Sequence, residues 1–229
     1  MRIEDCFNTT VEQIEARQWN PYLGISIQNR MFTVEYIRAY AAWAADRARE
    51  KAAIVVVDVL QQINNQVLNR SKPLAAIEKA FRRADEVHAL CREALAGISA
   101  EQRAKLVVLD WCDIIEADYF SPNARVFNAA FAADPAFHDF LVQLTRRNLG
   151  AIVERLDAAQ VEQLAVYILR ELPEVVTGFL HGGIHYNLNV YPGRIAAIFS
   201  ELMAQPLYPE LRARLRFIGD YACIEAYDR

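Results

Sequence analysis

Apolar and polar positions change their period several times along the chain, and each change marks an element. Residues 21–26, Pro-Tyr-Leu-Gly-Ile-Ser, form a short apolar run ending in a small-residue turn, and predict a buried strand. From 34 to 49 the spacing turns helical, with Val34, Ile37, Tyr40, Ala41 and Ala44 on one face. Thr33 is the expected N-cap, with Tyr36 at N3. Residues 53–58, Ala-Ile-Val-Val-Val-Asp, show no alternation at all. Such a β-branched run predicts a strand buried on both faces. A long helix is expected from Pro73, at a first-turn position that tolerates proline, to Leu95. Residues 106–109 read as a third buried strand. Further helices are expected at 123–133, 135–149, 158–180 and 194–204, and strands at 184–190 and 217–226. Strands alternating with helices predict an α/β fold: one domain over 1–229, with a mostly parallel sheet wrapped by helices.

Composition narrows the classes. Hydrophobic residues make up 54% of the 229 positions, ample for a buried core. No apolar run approaches the roughly 20 residues that a membrane helix needs. The first residues, Met-Arg-Ile-Glu-Asp, lack the apolar stretch of a signal peptide, so a cytoplasmic protein is expected. Cys6, Cys91, Cys112 and Cys223 have no CxxC spacing and read as reduced thiols. The net charge of −4 argues against a protein coated with positive charge, but leaves room for a local basic stripe.

Three short pieces carry candidate chemistry. Ser26, two residues after Gly24, ends a predicted strand and faces the crevice where α/β folds bind ligands. It can be a nucleophile, but it is not a Gly-x-Ser-x-Gly elbow, and a turn or capping serine is the plainer reading. Tyr167 and Glu171, four apart, project from one helix face. Pro173 beside them predicts a kink or local break in that helix. Tyr191 ends a strand before Pro192-Gly193. His181-Gly182-Gly183-Ile184-His185 is a poor metal pair, because two glycines break the helix that would align the imidazoles. No nucleotide loop is present, so ATP or NAD use is unsupported. Lys79, Arg82 and Arg83 share a face of the long helix; a solvated face is the plain reading, a polyanion dock the functional one. From the residues alone, a serine hydrolase and a non-catalytic binding protein stay open.

Taken together the pieces resemble the tRNA-dependent cyclodipeptide synthases. The resemblance rests on Gly24 and Ser26, on Tyr167-x-x-x-Glu171-x-Pro173, and on Tyr191 twenty residues past Glu171. Asn29, Phe32, Trp43 and the strand Val55-Val56-Val57-Asp58 add to it. It runs from about Pro21 to Tyr227. Pro192 is similar to the proline-type subgroup, whereas Asn29 is typical of the other subgroup. Asn20 stands where many members have histidine, and residues 73–95 are less basic than the usual tRNA-docking helix.

The resemblance implies a Rossmann-like domain similar to class I aminoacyl-tRNA synthetase catalytic domains, with no cofactor and no metal. It implies two aminoacyl-tRNAs as substrates, and a monomer acting without DNA or membrane. Ser26 would carry the acyl group. Tyr167 and Glu171 would hold the ammonium, Tyr191 would relay protons, and Asn29 would position the intermediate. Gly24, Tyr22, Val55, Glu174 and Asn189 would line the substrate pocket, and Lys79, Arg82 and Arg83 would dock tRNA. Glu174 and Asn189 stand where many relatives carry apolar residues. Three outcomes are expected for Glu174: pairing with Arg170 or Arg194, contact with a polar or cationic substrate group, or exposure through the kink at Pro173. A product with at least one polar, charged or small residue is expected.

Overall fold

The computed structural model describes residues 1–216 and 219–228. Its strands are β1 (Arg2–Phe7), β2 (Pro21–Ser26), β3 (Ala52–Val57), β4 (Leu106–Asp110), β5 (Phe179–His181), β6 (Ile184–Tyr186), β7 (Leu188–Tyr191) and β8 (Ala222–Tyr227). Its α-helices are α1 (Val11–Glu15), α2 (Val34–Arg47), α3 (Gln61–Val67), α4 (Pro73–Ala96), α5 (Ala100–Ala104), α6 (Trp111–Ile115), α7 (Phe120–Ala133), α8 (Pro135–Leu149), α9 (Ala158–Thr177), α10 (Ile195–Met203) and α11 (Tyr208–Arg214). Six strands form one sheet in the order β1-β8-β7-β2-β3-β4. All neighbours are parallel except the antiparallel edge pair β1 and β8.

Strand order reverses at β2. The chain first builds outward through β3 and β4, then returns to lay β7 and β8 on the other side. The crevice at the carboxyl ends of β2 and β7 is therefore a topological switch point, the usual ligand position in open α/β sheets.

The alternation of β2 explains how one strand serves two cores. Leu23 and Ile25 are fully buried against α2 and α4, in a layer with Ile37, Tyr40, Ala84 and Val87. Tyr22 points the other way, into the layer of α6 to α11. Gly24 and Ser26 share its face, because side chains two apart along a strand do. All six residues of β3 are buried, as a strand covered on both faces must be. Thr33 caps α2, its hydroxyl accepting from the Tyr36 amide at 3.2 Å.

The structure differs from the sequence reading in five places. The single strand expected at 184–190 is two, because the chain turns at Asn187. Gly182 and Gly183 sit at φ +57° and +79°, in the tight turn of a β5–β6 hairpin. The helix expected to reach 180 ends at Thr177, where Gly178 takes φ +64°. A Cβ on Gly178 would lie 2.2 Å from the Tyr186 carbonyl, so only glycine lets the hairpin fold back this closely. No break occurs at Pro173: α9 is continuous through it, and the Thr177 hydroxyl donates to the Pro173 carbonyl at 2.7 Å. The strand expected at 217–226 starts at Ala222, and its first two positions lie outside the described residues. Finally β1, with polar residues and a register shift, gave no strand signal and is held by pairing to β8.

Candidate active site

The face of β2 that turns away from α2 looks across at α9, and the two enclose a cavity of about 740 Å³. Its depth follows from element directions. Down β2 come Ser26, Gly24 and Tyr22; down β7, Tyr191 and Asn189; down α9, Tyr167, Glu171 and Glu174. Of these, all but Tyr22 line the cavity itself, as do Asn29 and Val55. Tyr22 is fully buried beneath it. Gly24 has an ordinary backbone, and a Cβ there would meet nothing within 4 Å. Its missing side chain is cavity space.

Ser26 ends β2 and is half-buried. The Asn29 amide N–H donates to the Ser26 carbonyl at 2.9 Å, which closes a turn and brings the Asn29 side chain back over the strand end. Asn29 Nδ2 then donates to the Tyr191 hydroxyl at 3.3 Å. Phe32 packs edge-on against Tyr191, with ring centroids 5.8 Å apart, and fixes that ring. The Tyr167 hydroxyl is buried and makes no hydrogen bond of ordinary geometry, yet Ser26 and Glu171 both lie close enough to act on its proton. Burial, then the Glu171 charge, push its pKa far up, so it stays a phenol able to donate. Burial, reinforced by Glu174, pushes Glu171 up to about 8. Tyr191 is raised by burial and eased down by Asn29.

Glu174 is 6% exposed, which excludes the solvent-facing outcome. Burial pushes it up to about 7, with the Tyr22 hydroxyl pulling the other way. No cation acts on it: Arg170 is exposed, and Arg194 is exposed at the cavity wall. The expected protein ion pair is therefore absent among the described residues. Tyr119 and Tyr221 also face it closely enough for its charge to bear on theirs. Neither tyrosine stands in a motif, so sequence reasoning passed over both.

None of the four histidines lines the cavity. His185 Nε2 meets the Thr177 carbonyl at 2.7 Å, and His88 Nε2 lies 2.6 Å from Asp110 Oδ1. No cluster of metal-ligating residues occurs among the described residues. No helix there is long and apolar enough to cross a membrane. The four cysteines are free.

Lys79, Arg82 and Arg83 lie together on α4 and line a shallow basic hollow with Arg30, Asn65 and Asn69. Lys79 donates to the Ser71 hydroxyl at 2.9 Å, and Arg83 Nε donates to the Ile27 carbonyl at 2.8 Å while its head meets Glu86. Gln28 lines both this hollow and the cavity, so the two adjoin. Arg30 sits on the turn after Ser26, and only the fold brings it to α4.

The chain has the fold of several solved structures. A cyclodipeptide synthase from Staphylococcus haemolyticus superposes with a TM-score of 0.72 at 16% identity, covering 98% of this chain and 99% of that one. One from Fluoribacter dumoffii gives 0.71 at 15% identity, covering 96% and 95%. A Mycobacterium tuberculosis protein, described as showing that cyclodipeptide synthetases are related to type I tRNA synthetases, gives 0.68 at 18% identity over 85% and 81%. No curated protein sequence matches the chain. The fold class is thus a Rossmann-like α/β domain with a mostly parallel sheet wrapped by helices. Residues 5–214 match the cyclodipeptide synthase family model, and the chain belongs to that family of aminoacyltransferases, which build cyclic dipeptides from aminoacyl-tRNAs.

Proposed function

We infer that the chain joins two aminoacyl residues by a ping-pong route through an ester on Ser26. The observation that carries this is the convergence of Ser26, Tyr167, Glu171 and Tyr191 on one cavity at the switch point of the sheet. In the first step the Ser26 hydroxyl attacks the ester carbon of an aminoacyl-tRNA. The bond to the ribose oxygen breaks, and the serine proton ends on that oxygen. With no histidine at the cavity, the vicinal ribose hydroxyl is the relay for this transfer. An aminoacyl ester arrives activated, so no nucleotide is consumed.

Tyr167 and Glu171 hold the amine of the bound residue. A carboxyl near 8 is matched to α-amines, which titrate near 8 themselves, so a proton can pass either way at little cost. The amine of the acyl-enzyme then attacks the ester of the second aminoacyl-tRNA, which leaves a dipeptide on Ser26 and frees the tRNA hydroxyl. The new terminal amine attacks the Ser26 ester, closes the diketopiperazine and returns the serine. Tyr191, oriented by Asn29, passes the proton in that last step.

The basic hollow beside the cavity is the tRNA dock, with Lys79, Arg82 and Arg83 joined by Arg30. The whole of 1–229 acts as one domain, as a monomer, in the cytoplasm where aminoacyl-tRNAs are made. Incubation with radiolabelled aminoacyl-tRNA should label the protein, and Ser26→Ala should lower both label and cyclic product by at least about 1,000-fold. A Ser26→Ala protein that still makes product rules out the acyl-enzyme. Neutralising Lys79, Arg82 and Arg83 together should weaken tRNA binding and reduce its log–log salt slope by about 2. An unchanged slope moves the dock elsewhere, with Arg146 and Arg147 next.

A further inference from the structure

Below Ser26 the cavity runs on to a floor for which the chemistry above has no use. The lane is open because Gly24, midway down β2, has no side chain and nothing fills its place. At the bottom stand Glu174 from α9 and Asn189 from β7, both 6% exposed and both lining the cavity. Asn189 Oδ1 is buried without a hydrogen-bond donor. Among the described residues, Glu174 is buried without a cation. Three tyrosine hydroxyls surround them: Tyr22 lies within reach of Glu174 and donates to the Tyr221 hydroxyl at 3.4 Å, Tyr221 lies within reach of the Asn189 amide, and Tyr119 accepts from the Leu180 amide at 2.8 Å.

The floor therefore presents an amide oxygen without a donor and a carboxyl without a cation. Buried acceptors left in this state are costly, and a buried carboxylate most of all. The ring scaffold holds them in place. Tyr22 packs edge-on to Phe179 at 5.1 Å, and Tyr221 stacks on Phe199 at 4.9 Å. A group entering from Ser26 that brings donors and positive charge satisfies both Glu174 and Asn189. A neutral amide or hydroxyl satisfies Asn189 Oδ1 and leaves the carboxyl uncompensated. An aliphatic chain satisfies neither, and an acid is repelled.

We propose that this floor recognises a basic side chain, bearing an ammonium, guanidinium or imidazolium, on the residue esterified to Ser26, with Glu174 and Asn189 Oδ1 as its acceptors. The assignment rests on the acyl-enzyme reading above and adds the substrate class to it. Burial without a cation holds the Glu174 carboxyl partly protonated near neutrality, and an arriving cation favours its ionised form. The lysine, arginine and histidine members of the class differ in reach and are separated by the test.

The protein is incubated with tRNA charged separately with each of the twenty amino acids in labelled form, and transfer to Ser26 and released products are both measured. A basic residue is expected to give the fastest transfer. Glu174→Gln keeps the shape and removes the charge. It should slow transfer of that basic residue by about 30-fold or more relative to neutral residues. Asn189→Leu should slow it less. An unchanged circular dichroism spectrum and a cooperative thermal transition show that the Gln variant is folded. Wild-type transfer confined to neutral or acidic residues overturns the proposal alone, as does a Gln variant that keeps the basic preference. If no aminoacyl-tRNA labels Ser26, the acyl-enzyme reading fails and this assignment falls with it.

Discussion

The cavity has two ends of opposite character, and one helix forms a wall of both. Toward the carboxyl end of α9 lie Glu171, Glu174 and the buried polar face of β7. Toward its start, Leu164 and Ile168 face Phe140, Leu144 and Leu149 of α8 and Ile152 beyond it. Ten residues separate Leu164 from Glu174, about 15 Å along a helix axis, so the ends are distinct places. The deep end is built where β2 and β7 meet the last turns of α9, and carries the Glu174 carboxyl and Asn189 Oδ1. The outer end is built between helices from mostly apolar side chains, with Thr145 and Asn148 of α8 among them. On the proposed route two residues are chosen in turn, and the cavity offers two ends of different character for that choice. A buried floor can demand a particular charge because the Glu174 carboxyl, held by α9, cannot swing to solvent. A wall of leucine and phenylalanine selects by size, which discriminates only about 10- to 200-fold per methylene.

The most damaging way to separate the ends is to plug one. Gly24→Val places two methyl groups in the lane below Ser26, where a Cβ meets nothing and the backbone needs no positive φ. The fold should survive with a melting temperature within a few degrees of wild type. Transfer of any residue with a long side chain to Ser26 should fall by about 100-fold, while glycine and alanine are spared. Equal losses for small and large residues would show that the lane does not receive the side chain.

At the outer end the expected effect is smaller. Ile168→Ala enlarges the apolar wall without touching β2 or β7. Labelling of Ser26 by the first residue should be unchanged. Discrimination between large and small second residues should fall by about 10-fold, read from the ratio of cyclic products in a competition. A change in which residue labels Ser26 would mean that the ends do not act separately.

How much of this contrast the sequence could reveal depends on whether its cause was local. The meeting of Ser26, the Tyr167–Glu171 pair and Tyr191 at one cavity was legible because each lies in a short motif, and strand ends and helix spacing fix where such residues point. β3 was legible because a strand covered on both faces must be apolar throughout. The floor was only half legible. Glu174 and Asn189 drew notice as polar residues in apolar positions, but the fate of Glu174 turned on Pro173, and the expected break there did not form. The helix stays intact, and its last turns carry Glu174 inward rather than outward. Tyr119 and Tyr221 were invisible because only folding brings residues so far apart to one carboxyl. Arg30 was missed for the same reason, as was β1, whose pairing partner lies at the other end of the chain.

The smallest effect probes the deep end without any substrate. Glu174 and Glu171 titrate near 7 and near 8 in the folded protein, against 4.5 for an ordinary glutamate. Between those values the folded chain binds more protons than the unfolded chain. Stability is therefore greatest below about pH 4.5, as far as these two groups decide it, and declines as pH rises toward 8. Tyr22, Tyr119 and Tyr221 remain phenols throughout this range and do not offset the decline. Glu174→Gln removes one of the two groups. Its melting temperature should match wild type near pH 4 and exceed it near pH 8.5, by about 2–4 °C for each kcal/mol of relieved charge burial. Ile168→Ala, at the outer end, should follow a curve parallel to wild type at every pH. Parallel curves for wild type and Glu174→Gln would mean that the carboxylate is already compensated in the free protein, and the contrast between the two ends would then be one of shape alone.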